Sequence, residues 1–113
     1  MGSLQVKPSA EAETDLSLQS AWYAEHAGMD IAERYLAAFA TRLELLRCMP
    51  MLGRVRKFRH QKLAGLRSII FGGKFYNHII FFRIEGDVLQ VFRVIHGARD
   101  LPRRLLQPPG SED

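Results

Sequence analysis

Apolar residues recur at steps of three and four along two stretches near the start of the chain. In the first, Ser9 is a suitable N-cap with acidic residues after it, and the pattern ends at Gly28. In the second, Asp30 and Glu33 match a capping box, and the apolar positions continue towards Pro50. The spacing predicts two antiparallel helices, each with an apolar face that needs a partner surface.

A strand-like pattern follows a basic connector at residues 51–62, which shows no clear period and is expected to be exposed. Three stretches are rich in β-branched and aromatic residues, and glycine-containing turns separate them. They span residues 64–71, 74–84 and 88–95. They predict an antiparallel meander, to which residues 4–6 would add a fourth strand at an edge. A short basic helix should begin at Leu101, where Pro102 is tolerated.

Together these elements predict an α+β fold, in which an N-terminal helical hairpin packs on a twisted antiparallel sheet of three to four strands. A short C-terminal helix completes it. The 113 residues suit one domain, with a core at about residues 4–106 and a flexible tail at residues 107–113.

Charge is unevenly divided along the chain. Residues 1–50 hold seven acidic and four basic side chains, whereas residues 51–113 hold twelve basic and five acidic ones, and the net charge is +4. Such asymmetry indicates a basic surface that meets an acidic partner, either nucleic acid or protein, although a solvated surface would have the same composition.

Several function classes receive no support from the sequence. Cys48 is the single cysteine, so a reducing cytoplasm is expected, and its place in a helix suggests a small buried hydrophobe. The four histidines have no metal-ligand spacing, so neither a metal nor another cofactor is expected. No run approaches the roughly 20 apolar residues of a membrane span, and no membrane partner is expected.

The most suggestive polar residues follow the last predicted strand. His96, Arg99 and Asp100 surround Gly97 at the strand's carboxyl end, a position where a rigid element can support functional groups. A buried or half-buried polar network is expected there. His96 could act as a general base or be bonded to the backbone, and the network could be functional or could anchor the last helix.

Basic side chains make up most of a candidate surface for binding a target or a partner. Arg67, Arg83 and Arg93 lie on three predicted strands and could converge on an anion. The alternative is local pairing, for example of Arg83 with Glu85 or of Arg99 with Asp100. The full candidate set is Arg54, Arg56, Lys57, Arg59, Arg67, Arg83, Arg93, His96, Arg99, Asp100, Arg103 and Arg104.

Four segments carry a family likeness that extends over residues 4–106. They are Pro50-Met51-Leu52-Gly53-Arg54, Gly65-Leu66-Arg67, Phe82-Arg83 and Arg93-Val94-Ile95-His96-Gly97-Ala98-Arg99-Asp100-Leu101. In their order and spacing, the chain resembles the RelE/ParE toxins of bacterial type II toxin–antitoxin systems, which include plasmid-stabilisation systems. The resemblance implies a small toxin that a cognate antitoxin holds inactive in a hetero-oligomer.

The superfamily divides by target, and the sequence resembles one branch more than the other. RelE-type toxins cleave messenger RNA on the ribosome, whereas ParE-type toxins inhibit DNA gyrase. Leu105 stands where the RelE pattern has a tyrosine, and Ser68 and Ile70 stand where it has lysines. The resemblance therefore implies a ParE-like gyrase inhibitor that acts by binding rather than by its own catalysis, because most of the catalytic groups of the RelE pattern are missing.

Two alternatives stay open at this point. One is a ribosome-dependent mRNA endonuclease, in which His96, Arg99, Arg93 and His78 would replace the missing groups. The other is a degenerate family member without toxicity.

Overall fold

The computed structural model describes residues 4–111 and has strands and helices in the predicted order. The elements are β1 (Gln5–Pro8), α1 (Ala10–His26), α2 (Met29–Cys48), β2 (Arg54–Val55), β3 (Arg67–Ile70), β4 (His78–Glu85), β5 (Val88–His96) and α3 (Leu101–Leu106). Short 3-10 turns lie at Pro50–Leu52, Gln61–Leu63 and Gly73–Phe75.

The five strands form one mixed sheet in the order β1-β5-β4-β3-β2. Strands β2 to β5 pair antiparallel, whereas β1 lies parallel to β5 at the edge, so the predicted edge strand is confirmed. The fifth strand, β2, falls within the connector that was expected to be irregular. Sequence periodicity cannot reveal it because it has only two residues.

Each face of the sheet supports its own hydrophobic core. On one face, Tyr35, Phe39 and Leu46 of α2 pack with Phe82 and Val91. On the other, α3 and the segment before β3 cover Ile79, Phe81 and Ile95. The central strand β4 is therefore apolar on both sides, which explains why its sequence is a continuous apolar run without alternation.

A bulge in β5 decides which face its later residues occupy. Phe82 pairs with Val91, but Phe81 pairs with Arg93, so Phe92 is one extra residue in β5. Without that residue Arg93 would point into the core beneath the helical hairpin. With it, Val94 occupies that core, and Arg93 is on the face that carries α3.

The turns differ from the predictions in two places. Gly28, with a φ of 100°, is the N-cap of α2 and no side chain caps the helix, so the predicted capping box is wrong. Asp30 instead pairs with Arg34 at 3.3 Å. Strands β3 and β4 are joined through the Gly73–Phe75 turn rather than a two-residue hairpin, because Phe75 turns inward to pack on Tyr35.

Cys48 and residues 107–113 are the last positions for which the sequence made a prediction. Cys48 is exposed, contrary to the prediction, because it follows buried Leu46 by two residues, or roughly 200° around the helix. Residues 107–111 run past α1, where Gly110 lies against Leu18. Residues 112–113 of the predicted flexible tail lie outside the described residues, and its flexibility stays a prediction.

Gly53 shows how closely the segment before β2 approaches the sheet. A Cβ atom added there would lie 2.3 Å from Phe82 Cζ, which belongs to the core beneath the helical hairpin. We expect Gly53→Ala to lower the free energy of unfolding by about 1–3 kcal/mol, because a filled core must shift to accept the methyl group. Urea denaturation would measure it, and Leu52→Ala, at a half-exposed neighbour, is the control. Equal stability of the two variants would contradict the packing.

Candidate functional site

A buried ion pair between α1 and β5 lies at the centre of the polar structure. Arg93 Nε lies 2.7 Å from Asp15 Oδ2 and Arg93 Nη2 lies 2.9 Å from Asp15 Oδ1, so the guanidinium and carboxylate meet through two parallel bonds. The side chain of Arg93 is only 5% exposed and that of Asp15 only 8%. Arg93 Nη1 also donates to the carbonyls of Arg104, Leu105 and Gln107 at the end of α3. One side chain thus joins α1, β5 and α3.

Asp15 also closes part of an open sheet edge. β1 pairs with β5 only as far as Val91. Ser9 then donates its backbone N–H to the carbonyl of Val91 and its hydroxyl to the carbonyl of Phe92. Asp15 Oδ2 accepts a hydrogen bond from the backbone N–H of Val94 at 2.9 Å. With its Oδ2 atom the carboxylate therefore satisfies one donor of an edge that no strand among residues 4–111 covers beyond Val91.

The strand arginines do not converge on an anion, and they do not pair locally. Arg67 lies on the face of the helical hairpin and donates to the carbonyl of Gly53 at 3.0 Å. Arg83 lies on the opposite face and donates to the carbonyls of Ala64 and Lys62, instead of binding Glu85. Together with Arg93, these side chains hold segments of backbone that are distant in sequence.

Arg56 is also bound by neighbouring side chains of the chain rather than exposed on a free surface. Its guanidinium donates to Ser68 Oγ at 3.1 Å and lies over the rings of Phe58 and Phe81. Burial, with a contribution from Arg54, lowers the pKa of Arg56. Of the twelve candidate residues, five arginines are at least half-buried and held by contacts within the chain: Arg56, Arg67, Arg83, Arg93 and Arg104.

The remaining cations form a basic face on the side of the sheet that carries α3. Its exposed members are Arg54, Lys57, Arg59, Arg99 and Arg103. The connector and α3 are neighbours there, because Leu63 and Leu66 share a core with Leu101 and Leu105. The exposed acidic residues Glu11, Glu13, Glu25, Asp30, Glu33 and Glu44 lie on the helical hairpin. The charge difference along the sequence therefore becomes a difference between two layers.

The predicted polar network after β5 is not buried. His96, Arg99 and Asp100 are all exposed, and Asp100 pairs with Arg103 at 3.2 Å rather than with Arg99. Arg104 donates to the carbonyls of His96 and Arg99. Asp100 has a φ of 53°, in the left-handed region, so this corner turns the chain sharply into α3. These contacts support the anchoring interpretation.

A cleft of about 740 Å³ lies between α1, the end of β5 and residues 107–111. At its base Tyr23 Oη is 2.8 Å from His78 Nε2, and the ring centroids of His78 and His96 are 4.7 Å apart. His78 is 1% exposed, and burial, with His96 adding to it, lowers the pKa of His78 to about 4. The imidazole of His78 is therefore neutral at physiological pH.

The sequence interpretation missed the contribution of α1 to this cleft. Trp22 and Leu18 line it and are about half exposed, and Tyr23 forms part of its base. Trp22 stacks on His26, with ring centroids 4.4 Å apart. In the sequence, two large apolar residues one turn apart and off the face of Ala12, Leu16 and Tyr23 were a usable signal, because a helix that packs by one face rarely needs them on another.

The described part of the chain, residues 4–111, brings no three His, Cys, Asp or Glu side chains together in a way that could hold a metal ion. Within the same residues, no helix has the length and apolar character needed to cross a membrane.

Comparison with known proteins adds an independent observation. A family model described as the ParE toxin of the type II toxin–antitoxin system parDE matches residues 6–101. Among solved structures, a chain of the chromosomal ParDE toxin–antitoxin system from P. aeruginosa matches with a TM-score of 0.68. The match covers 84% of this chain and 97% of that one at 18% identity, a level at which it shows a common fold. No curated protein matches the sequence.

The buried ion pair predicts a large effect of removing its acid. We expect Asp15→Ala to lower the free energy of unfolding by about 3–5 kcal/mol, because Arg93 would stay buried without a counter-charge. Urea denaturation would measure it. The matched control is Asp30→Ala, which removes an exposed partner of Arg34 and should cost less than about 1 kcal/mol. Equal losses in the two variants would contradict the importance of the pair.

The low pKa of His78 predicts an acid sensitivity. The unfolded chain takes up a proton at His78 below about pH 6.5, whereas the native chain does so only near pH 4. The free energy of unfolding should therefore fall by up to about 3 kcal/mol as the pH decreases between these values. Denaturation at several pH values would show a weaker dependence in His78→Phe but not in His60→Phe, a control in the exposed connector. An unchanged dependence in His78→Phe would contradict the assignment.

Proposed function

Because the chain belongs to the ParE toxin family of type II toxin–antitoxin systems, we propose that it inhibits DNA gyrase by binding and that a cognate antitoxin neutralises it. No covalent step by the toxin is needed. The observation that carries the proposal, beyond family membership, is the basic face, whose exposed cations lie on the connector and around α3, across the sheet from the acidic helical hairpin.

Electrostatics explains what such a face contributes to binding. Clustered exposed charges of one sign steer an oppositely charged partner and set its orientation, mainly by raising the association rate. The connector cations and those at the start of α3 lie on one side of the sheet. An acidic protein surface, or an enzyme holding DNA, presents the complementary charge.

The placement of the candidate nuclease residues favours binding over RNA cleavage. A general base must come within hydrogen-bond reach of the proton that it abstracts. His78 is buried behind Tyr23, and the charge of Arg93 is neutralised by Asp15. Only His96 and Arg99 of the four residues remain exposed. RNA cleavage is therefore the less well supported alternative.

Neutralisation follows from the same chemistry. An antitoxin that covers the basic face with carboxylates would remove the charge by which the toxin binds its target. Apolar side chains near those carboxylates would add affinity through burial, as in other recognition of folded surfaces by peptide segments.

Supercoiling by purified gyrase is the direct test. We expect the protein to inhibit supercoiling, and the double variant Lys57→Glu/Arg59→Glu to inhibit it at least about tenfold less strongly, because reversing two exposed cations repels an acidic partner. The matched control is Arg34→Glu on the helical hairpin, which should inhibit as the parent does.

Two results would contradict the proposal. One is unaltered supercoiling at a large molar excess of protein. The other is cleavage of messenger RNA on ribosomes by the purified protein, which would establish the nuclease alternative instead.

A further inference from the structure

The free edge of β2, at the end of the sheet opposite β1, combines three features that a protein segment could recognise. They are unpaired backbone groups, exposed apolar side chains and cations without acidic partners. We propose that an extended acidic segment of the target, gyrase in the proposed function, adds to the sheet beside Val55. The inference rests on the proposed function and deepens it, because it gives the target a docking position and a binding mode.

The unpaired groups follow from the register of β2. This strand pairs with β3 on one side and is the last strand of the sheet among residues 4–111. The N–H of Arg56 donates to the C=O of Leu66 at 2.9 Å, so the backbone of Arg56 faces β3. Successive residues of a strand direct their backbone groups to opposite sides, so the N–H and C=O of Val55 point outward. Neither group has a hydrogen-bond partner within residues 4–111, and both can pair with an added strand.

Apolar side chains surround this open edge. Met51 is 75% exposed, Leu52 is 48% exposed and Val55 is 54% exposed. A single exposed apolar residue is ordinary, but three of them within five positions beside an open edge indicate a surface that a partner covers. Gly53, between them, lies against Phe82, so the segment is held close to the sheet and presents these side chains from a fixed support.

The charge of this region selects an acidic partner. Residues 45–84 contain nine Lys or Arg residues and no Asp or Glu. Arg54, Lys57 and Arg59 are exposed, and no carboxylate of residues 4–111 lies within 4.0 Å of their charged groups. Carboxylates of an added segment would be the missing partners of these cations.

The same charges disfavour a second copy of the chain as the occupant. Pairing of β2 with β2 of another copy about a twofold axis would bring Arg54 and Lys57 near their own counterparts. Like charges that face each other across two strands are destabilising, whereas an acidic segment has the opposite sign. Lys57 and Arg59 also belong to the basic face, so the edge of β2 continues the surface through which we propose that the target binds.

Hydrogen exchange of the unaltered full chain, alone and bound to a complex of gyrase with DNA, tests the docking position. We expect amide exchange at Val55 to slow at least about tenfold in the complex, because its N–H would enter a hydrogen bond. The internal control is Val6, whose N–H faces outward at the opposite edge of the sheet and whose exchange should not change.

Inhibition of supercoiling by variants supplies a second measurement. Val55→Pro removes the N–H at an edge position, where proline is tolerated, and should inhibit at least about tenfold less strongly than the parent. Val55→Ala keeps the N–H and should lose less. Met51→Ala should weaken inhibition about threefold through lost apolar burial. Its matched control is Met29→Ala, at a 63% exposed residue of the helical hairpin, which should inhibit as the parent does.

The outcomes separate this inference from the proposed function. Inhibition of gyrase with unchanged exchange at Val55, or full inhibition by Val55→Pro, would overturn the inference and leave the proposed function intact. Protection of Val55 in the protein alone as its concentration rises would place a second copy on the edge and would also overturn it. Absence of any inhibition by the parent would overturn both. Val55→Pro counts only if its urea midpoint is near that of the parent, and exchange in the unaltered chain carries the test otherwise.

Discussion

The paired charges of Asp15 and Arg93 are the interaction on which the arrangement of this molecule depends. Moving two ions out of water is costly, and the cost is offset only where geometry and additional hydrogen bonds are good. Here the carboxylate also receives the N–H of Val94, and the guanidinium also reaches the last carbonyls of α3. The carbonyl end of a helix carries partial negative charge, so Arg93 is favourably placed there as well. This pair therefore adds a polar connection between α1, β5 and α3 to the apolar contacts that these elements make in the two cores.

That arrangement requires the bulge at Phe92. A regular β5 would direct Arg93 into an apolar core, where its charge would have no partner, and would take Val94 out of that core. The extra residue therefore solves two packing problems at once, one apolar and one ionic. It also places Phe92 beneath Arg83, whose guanidinium lies 4.8 Å from the ring centroid. A single extra residue in β5 thus places Arg93 next to its partners and places an aromatic ring beneath Arg83.

Local patterns in the sequence were sufficient to predict the helical hairpin, the strands β3, β4 and β5, and α3, because each has a clear apolar period or a distinctive turn. They were insufficient for interactions between distant residues. Asp15 and Arg93 are 78 residues apart, and no pattern in the sequence around either residue predicts that the two pair. For the same reason arginines were recognised as candidates without any indication of which ones bind backbone carbonyls. The cleft was missed because two of its walls come from opposite ends of the chain.

The separation of the arginines into two groups connects the fold to the function that we propose. A guanidinium is weakly hydrated and offers five donors, so it can be used either to tie backbone segments together or to meet an acidic partner. Arg67, Arg83 and Arg93 do the former, because their guanidinium groups donate to backbone carbonyls or to Asp15 within the molecule. The exposed cations of the basic face lie at the surface instead, and Arg103 among them pairs with Asp100. In the function that we propose, these surface cations meet the partner, while the internal arginines hold the scaffold that presents them.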